Sequence, residues 1–233
     1  MRPARDGDRH GHVRSPAPRG GRHVDRRLRP RQRLLLKRTA PGRLALACGI
    51  AAPASFITAW AVAGARRDGY DPVSTTISRL AEQGADTRPL MTAGFVGFGV
   101  LLPVFARALG RAGGPRAVTA TVAFSGLATL GVALTPLSLE GGTTTDLLHA
   151  VAAGSGYVAT AVSPALLARA RLRGPTAAAS YAVTAVSAGA LVCSVAVPEV
   201  AGLCQRLGLG VVDVWFASVA AALLSGRRLP SRP

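Results

Sequence analysis

The sequence is poor in lysine, acidic residues and cysteine, and each shortage excludes a class of protein. Only one of the 28 basic residues is lysine, and 11 acidic residues leave a formal charge of +17. Charged residues make up only 17% of the chain against 49% apolar residues, which excludes a uniformly basic nucleic-acid-binding domain and a single large soluble enzyme domain. Three widely spaced cysteines without a Cys-x-x-Cys pair suggest neither a disulfide framework nor a zinc site.

We expect the cysteines to be small buried apolar residues. Cys48, Cys193 and Cys204 each lie in or beside an apolar run. The alternative is a disulfide between Cys193 and Cys204, which the sequence places near one membrane face.

The basic residues are concentrated before residue 43. Residues 1–43 hold 14 Lys and Arg, three Asp and many Gly, Pro and His, without helical or strand periodicity. Such a segment cannot bury enough apolar surface to offset its ordering entropy, so we predict a disordered cytoplasmic tail. A solvated tail, an over-extended start of the coding region and an arm that contacts anionic lipid headgroups stay open as interpretations. Because no aromatic residues are interleaved with the basic ones, we expect no nucleic-acid binding.

The rest of the chain predicts an all-α integral membrane bundle of six transmembrane helices, over residues 44–226. A span needs about 20 mostly apolar residues. Six segments rich in Ala, Val, Leu and Gly meet this requirement: 44–65, 89–106, 117–139, 147–168, 176–197 and 203–224. A short basic tail, 227–233, follows them.

The arrangement of charge separates this interpretation from an Ala-rich soluble helical bundle. The connections 107–116 and 169–175 carry three Arg each and no acidic residue. The connections 66–88, 140–146 and 198–202 hold every acidic residue beyond the tail except Asp213. Every second connection is therefore basic, which by the positive-inside rule places both termini in the cytoplasm of a multi-pass protein in the cytoplasmic (inner) cell membrane.

The first outer connection is predicted to contain a short amphipathic helix. Asp71 can cap it with Pro72 in its first position, and Gly84 can end it. Its apolar residues share one face, at Val73, Ile77, Leu80 and Ala81. This helix would either pack on the bundle or act as a lid over an outward-facing cavity.

Several runs in the chain resemble the DUF998 family of uncharacterised bacterial multi-pass membrane proteins. They are Tyr70–Leu80, Leu90–Phe95, Cys48–Pro53, His149 at the start of the fourth span and Gly202–Arg206 before the sixth. The resemblance covers roughly residues 44–226 and implies six spans, but it implies no activity.

Polar residues at membrane depth are the candidate site. Asp213 lies near the middle of the sixth span, and Arg206 lies seven residues earlier on almost the same face, about 10 Å nearer the outside. Asp146 and His149 are one turn apart and are expected to hydrogen-bond. We hypothesise an outward-facing polar pocket with Asp213 at its floor, built from the candidates His149, Arg206, Asp213, Asp146, Tyr70 and Arg79, with Tyr157, Ser155 and Thr160 as further hydroxyls.

Four functions remain open for these residues. In the first, the residues pair with one another and only fix the register of the helices. In the second, they bind a ligand. In the third and fourth, they belong to a small cation- or proton-coupled transporter or to an intramembrane hydrolase-like enzyme. Gly208 and Gly210, as helix breakers beside Asp213, favour transport. His149 is the only histidine in the spans, so no metal site, cofactor or catalytic residue is assigned. A homo-oligomer also stays open.

Overall fold

The computed structural model describes residues 42–230, which form six long helices and no strand. The helices are α1 (Arg43–Arg66), α2 (Arg88–Arg111), α3 (Arg116–Leu134), α4 (Thr144–Arg171), α5 (Gly174–Ala196) and α6 (Ala201–Leu224). All six are long and apolar enough to cross a membrane, which confirms the predicted all-α, six-span bundle. The predicted tail over residues 1–43 lies outside the described residues except at its last two positions. Of the predicted tail over residues 227–233, the last three residues also lie outside them.

Two predicted spans end five residues from their helices: the second stops at residue 106 although α2 continues to Arg111, and the third is too long. The third was expected to continue to residue 139, but α3 ends at Leu134. Pro136 has no backbone N–H and disfavours helical geometry at Thr135, so the helix stops just before it. The next helix starts with a capping box, in which the Thr143 hydroxyl accepts from the Asp146 backbone and the Asp146 carboxylate accepts from the Thr143 backbone.

The helices are arranged in a ring in chain order. Each helix packs against the next, α6 returns to pack on α1, and α4 also contacts α6. The connections at one end touch each other: the Gln83 N–H donates to the Leu137 carbonyl over 2.9 Å, and Leu203 donates to Val73 over 2.8 Å. At the other end Arg171 donates to the Gly113 carbonyl over 2.9 Å. We call the first the loop end and the second the arginine end.

The two ends differ in charge as the sequence predicts. Within residues 42–230 the arginine end holds nine arginines and no acidic residue. These arginines are Arg43, Arg107, Arg111, Arg116, Arg169, Arg171, Arg173, Arg227 and Arg228. The acidic residues lie at the loop end, apart from Asp213 in the middle of α6. Large apolar side chains such as Leu127 and Val158 are exposed on the outer surface of the ring, where they contact lipid.

Small residues let neighbouring helices approach closely. A Cβ atom added at Gly156 of α4 would lie 2.9 Å from the Cβ of Ala128 of α3, and one at Gly97 of α2 would lie 2.9 Å from the Ser55 hydroxyl of α1. On α5, however, nothing lies within 4 Å of such an atom at Gly189. Ala190 is the small residue by which α5 packs closely on α6, 2.8 Å from a Cβ atom added at Gly208, and α5 is the least buried of the six helices.

Candidate functional site

The helices surround a cavity of about 360 Å³ on the loop-end side of the bundle. All six helices line it, and residues 76–78 of the first connection form part of its wall. Its polar lining residues are Thr76, Ser78, Ser125, Thr129, His149, Tyr157, Thr160, Ser194, Gln205 and Asp213, and its aromatic ones include Phe56, Phe95 and Phe98. The volume lies within the range of small-molecule sites.

His149 belongs to the lining of this cavity, and one of its ring nitrogens is unpaired among the described residues. The side chain is 5% exposed, and its Nδ1 lies 2.7 Å from the carbonyl oxygen of Thr135, which α3 leaves free where it ends. A carbonyl only accepts, so Nδ1 carries the hydrogen and the neutral ring has an acceptor at Nε2. Nε2 is buried and has no hydrogen-bond partner among the described residues.

Asp213 is the second unpaired acceptor of the cavity. It is 2% exposed, near the middle of α6, and its Oδ2 has no partner in the part of the chain that the structure describes. A carboxylate at membrane depth costs several kcal/mol unless a proton, a cation or hydrogen-bond donors compensate it. Either a proton on the carboxyl or a donor group in the cavity beside it would supply this compensation.

Tyr157 closes the space between α4 and α6. A Cβ atom at Gly208 would lie 2.9 Å from Cζ of Tyr157 and 2.8 Å from Cβ of Ala190. The helix is continuous through both Gly208 and Gly210, so the expectation that these glycines break it is wrong. Gly208 instead leaves room for the tyrosine ring.

The first loop, residues 67–87, does not contain the predicted amphipathic helix. Asp71 accepts hydrogen bonds from the Val73 N–H over 2.9 Å and from the Ser74 hydroxyl over 2.6 Å, but only one turn follows. The only regular element is a short 3-10 helix, Ile77–Ala81. Backbone groups that an α-helix would have used are bonded to α6 instead, so tertiary contacts outweigh the local capping signal.

Contacts between residues 70–77 and residues 202–206 hold this loop on α6, and we call them the loop clamp. Arg206 donates from Nη1 to the carbonyls of Pro72, over 2.8 Å, and Thr75, over 3.1 Å. Its guanidinium also donates to the Tyr70 hydroxyl and lies 5.3 Å from the centre of the Trp60 ring. The Arg206 side chain thus bonds to the loop. It does not line the cavity and does not contact Asp213.

Gln205 and Gly202 complete the loop clamp. The Gln205 side-chain oxygen accepts from the Ile77 N–H over 2.7 Å, and a Cβ atom at Gly202 would lie 2.6 Å from the Pro72 carbonyl oxygen. The loop backbone therefore rests directly on the first turn of α6, and Gln205 links the clamp to the cavity that it lines.

Arg79 and Glu82 tie the other side of the loop to the bundle. Arg79 donates to Glu82 over 3.1 Å and to the Ser138 carbonyl over 3.2 Å, while Arg67 pairs with the other oxygen of Glu82. Burial by itself would raise the pKa of Glu82, but hydrogen bonds from Arg67 and Arg79 outweigh it and lower that pKa below its ordinary value.

Asp146 does not form the hydrogen bond to His149 that its spacing predicts. Its carboxylate accepts from the Ser138 N–H over 2.7 Å, from the Ser138 hydroxyl over 2.6 Å and from the Thr143 backbone over 2.9 Å. With these partners Asp146 stabilises the connection between α3 and α4. His149 is hydrogen-bonded to the Thr135 carbonyl instead.

A family model described as "Protein of unknown function (DUF998)" matches residues 50–222. The chain belongs to the DUF998 family. No curated protein and no solved structure matches it. In this DUF998 protein, the runs Tyr70–Leu80 and Gly202–Arg206, which carry the resemblance in the sequence, are the two sides of the loop clamp.

The structure divides the six candidate residues of this DUF998 protein into two groups. His149 and Asp213 line the cavity, whereas Tyr70, Arg79, Asp146 and Arg206 hold the loop and the α3–α4 connection beside it. Of the further hydroxyls, Tyr157 and Thr160 line the cavity, while Ser155 bonds to the Ala152 carbonyl of its own helix. Ser125 and Thr129 were not predicted, because hydroxyl residues on apolar helices carry no charge signal in the sequence.

Proposed function

We propose that this DUF998 protein binds a small molecule with an apolar body and one ammonium or similar donor group. The observation that carries the proposal is that His149 Nε2 and Asp213 Oδ2, both buried and unpaired among the described residues, belong to the wall of one cavity. Both atoms can accept hydrogen bonds, so each can pair with a donor group of a ligand in the cavity. A positive charge on the donor group also compensates the carboxylate.

The donor set suits an organic cation better than a metal ion. Among residues 42–230 no three His, Cys, Asp or Glu side chains are close enough to hold a metal together. Protein zinc sites use three or four such ligands, whereas an ammonium group needs only acceptors and aromatic faces. The phenylalanines of the lining, Phe56, Phe95 and Phe98, provide those faces.

Binding also fits the neighbouring polar groups better than transport or hydrolysis does. Hydroxyls on the way to the arginine end are already paired, as in Ser125 with Thr160 and Thr121 with Ser163, the latter over 2.8 Å. Among the described residues, Tyr157 and Ser187 are the buried hydroxyl side chains without a partner, and two such groups do not form a row that could conduct a coupled cation. No described serine or cysteine bonds to His149 Nε2, which a nucleophile would require.

In this proposal the first loop is a lid over the cavity, and the loop clamp holds that lid on α6. Residues 76–78 form part of the cavity wall, and Gln205 belongs to both structures. If the arginine end is cytoplasmic, as the positive-inside rule predicts, the cavity faces the outside of the cytoplasmic membrane and the basic tail meets anionic lipid on the inside.

The test compares two probes of the same shape, benzylamine and benzyl alcohol, on the full chain in lipid nanodiscs. We expect benzylamine to raise the Tm of the wild type by several degrees and benzyl alcohol to have less effect, because a ligand that binds only the folded state stabilises it. In Asp213→Asn the preference for the amine should disappear. Asp86→Asn is the matched control, since Asp86 is exposed and remote from the cavity lining.

Two outcomes contradict the proposal. One is the same Tm with and without benzylamine in the wild type at millimolar concentrations. The other is an amine preference that Asp213→Asn retains in full, which would place the amine elsewhere.

A further inference from the structure

We infer that Cys193 and Cys204 are a disulfide-forming pair that joins α5 to α6 beside the cavity. Cys193 lies in the last turn of α5 and Cys204 in the first turn of α6. Their Sγ atoms are 2.6 Å apart, and a disulfide bond is about 2.05 Å long. A movement of a few tenths of an ångström therefore brings the two sulfur atoms to bonding distance.

The pair joins α6 to the least buried helix of the ring, α5. Only Ser180, Ser187 and Ala190 of α5 are buried, and α5 is joined to α6 by the short 3-10 helix Pro198–Val200. Yet the last two turns of α5 contribute Leu191, Ser194 and Val195 to the cavity wall. A covalent bond at Cys193 and Cys204 fixes this part of the wall to α6.

The position in the fold also suits oxidation. Both cysteines are half-buried at the loop end, opposite the nine arginines, and Cys48 lies near the arginine end of α1. By the positive-inside rule the loop end is outside the cytoplasm, in the kind of compartment where disulfides persist. This inference does not depend on a ligand in the cavity, so it stands or fails separately from the proposed function.

The oxidant is a second disulfide, carried by a dithiol protein or a small molecule of the same compartment. The thiolate of one cysteine attacks that disulfide and releases one thiol, and the other cysteine then displaces the second thiol from the mixed disulfide. The two cysteines lose two protons and two electrons in total, and the donor disulfide gains them as two thiols.

Intact-mass measurement after thiol alkylation tests the pair directly. Membranes from expressing cells are denatured in excess N-ethylmaleimide, with or without prior reduction, and the mass of the full chain is measured. We expect one adduct, on Cys48, without reduction and three after it. Cys48→Ser should give none without reduction and two after it, whereas Cys204→Ser should give two under both conditions.

A thermal measurement supplies a second readout. Reduction should lower the Tm of the wild type and leave the Tm of a Cys193→Ser, Cys204→Ser double variant unchanged, because a disulfide restricts the unfolded chain. Three adducts without reduction overturn the inference. So does a disulfide-linked dimer on a non-reducing gel that accounts for the protected thiols.

Discussion

Arg206 and Tyr70, 136 residues apart in the sequence, form the central contact of the loop clamp. The guanidinium donates to the tyrosine hydroxyl and also lies 5.4 Å from the centre of its ring. Hydrogen bonds to two backbone carbonyls of the same loop add to this contact. Arg206 is thus the residue through which the first loop and the last helix define the loop-end wall of the cavity.

Replacing Arg206 should therefore weaken the loop more than removal of a surface charge does. Arg206→Lys keeps the charge but loses the planar fork that reaches several acceptors at once. Because hydrogen bonds to a charged group contribute about 1.5–3 kcal/mol each, we expect a loss of about 2 kcal/mol or more and a marked fall in Tm. Arg88→Gln, at an exposed position of α2, is the control and should change Tm by less than a degree or two. An unchanged Tm in Arg206→Lys would contradict the clamp.

Gly208 should be intolerant of even one added methyl group. In Gly208→Ala the new Cβ collides with the Tyr157 ring and with Ala190, and such overpacking costs typically about 1–3 kcal/mol. Gly210→Ala is the matched control on the same helix, because nothing lies within 4 Å of its added atom. Thermal unfolding in detergent measures both, and equal Tm values for the two variants would show that the α4–α6 contact at Tyr157 is not tight.

The sequence predicts the helices well because each span is a local property. About 20 apolar residues between charged connections are enough to define a span, and four of the six spans end within three residues of the helices. The predicted end of the third span is wrong because Pro136 ends the helix, although the apolar stretch continues beyond it. The capping box at Thr143 and Asp146 has a spacing signal, but the sequence prediction assigned that acid to His149 instead.

The site could be predicted only in part because it depends on where side chains point. Arg206 and Asp213 are seven residues apart on nearly the same side of α6, so helical spacing groups them. Side chains on a helix tilt towards its N-terminus, however, and for α6 that is the loop end. Arg206 therefore extends into the loop and away from Asp213, and the loop that receives it can be seen only in three dimensions.

Single-cysteine labelling tests the orientation of the protein in the membrane. In a variant with Cys48, Cys193 and Cys204 replaced by alanine, Glu140→Cys places one thiol at the loop end and Ala117→Cys places one at the arginine end, both at exposed positions. We expect a membrane-impermeant maleimide to label intact cells at Glu140→Cys and not at Ala117→Cys until the cells are lysed. The reverse pattern would place the nine arginines outside and overturn the positive-inside assignment.

The first loop should become less stable in acid because of Glu82. Its pKa is lower in the folded chain than the ordinary value of 4.5, since the hydrogen bonds from Arg67 and Arg79 outweigh the effect of burial. A carboxyl of this kind stabilises the fold fully above its unfolded pKa, and the contribution is lost as the pH falls through the lower folded value. The Tm of the wild type should thus exceed that of Glu82→Gln at pH 7, and the difference should shrink steadily below about pH 4.5.

Asp86→Asn tests whether this effect belongs to Glu82. Asp86 lies in the same loop, but it is exposed and makes no ion pair among the described residues. We expect its Tm to follow that of the wild type from pH 7 to pH 4. A Tm difference between wild type and Glu82→Gln that stays constant over this range and below would mean that Glu82 keeps its partners when protonated. The pairing with Arg67 and Arg79 would then not be what holds this side of the loop.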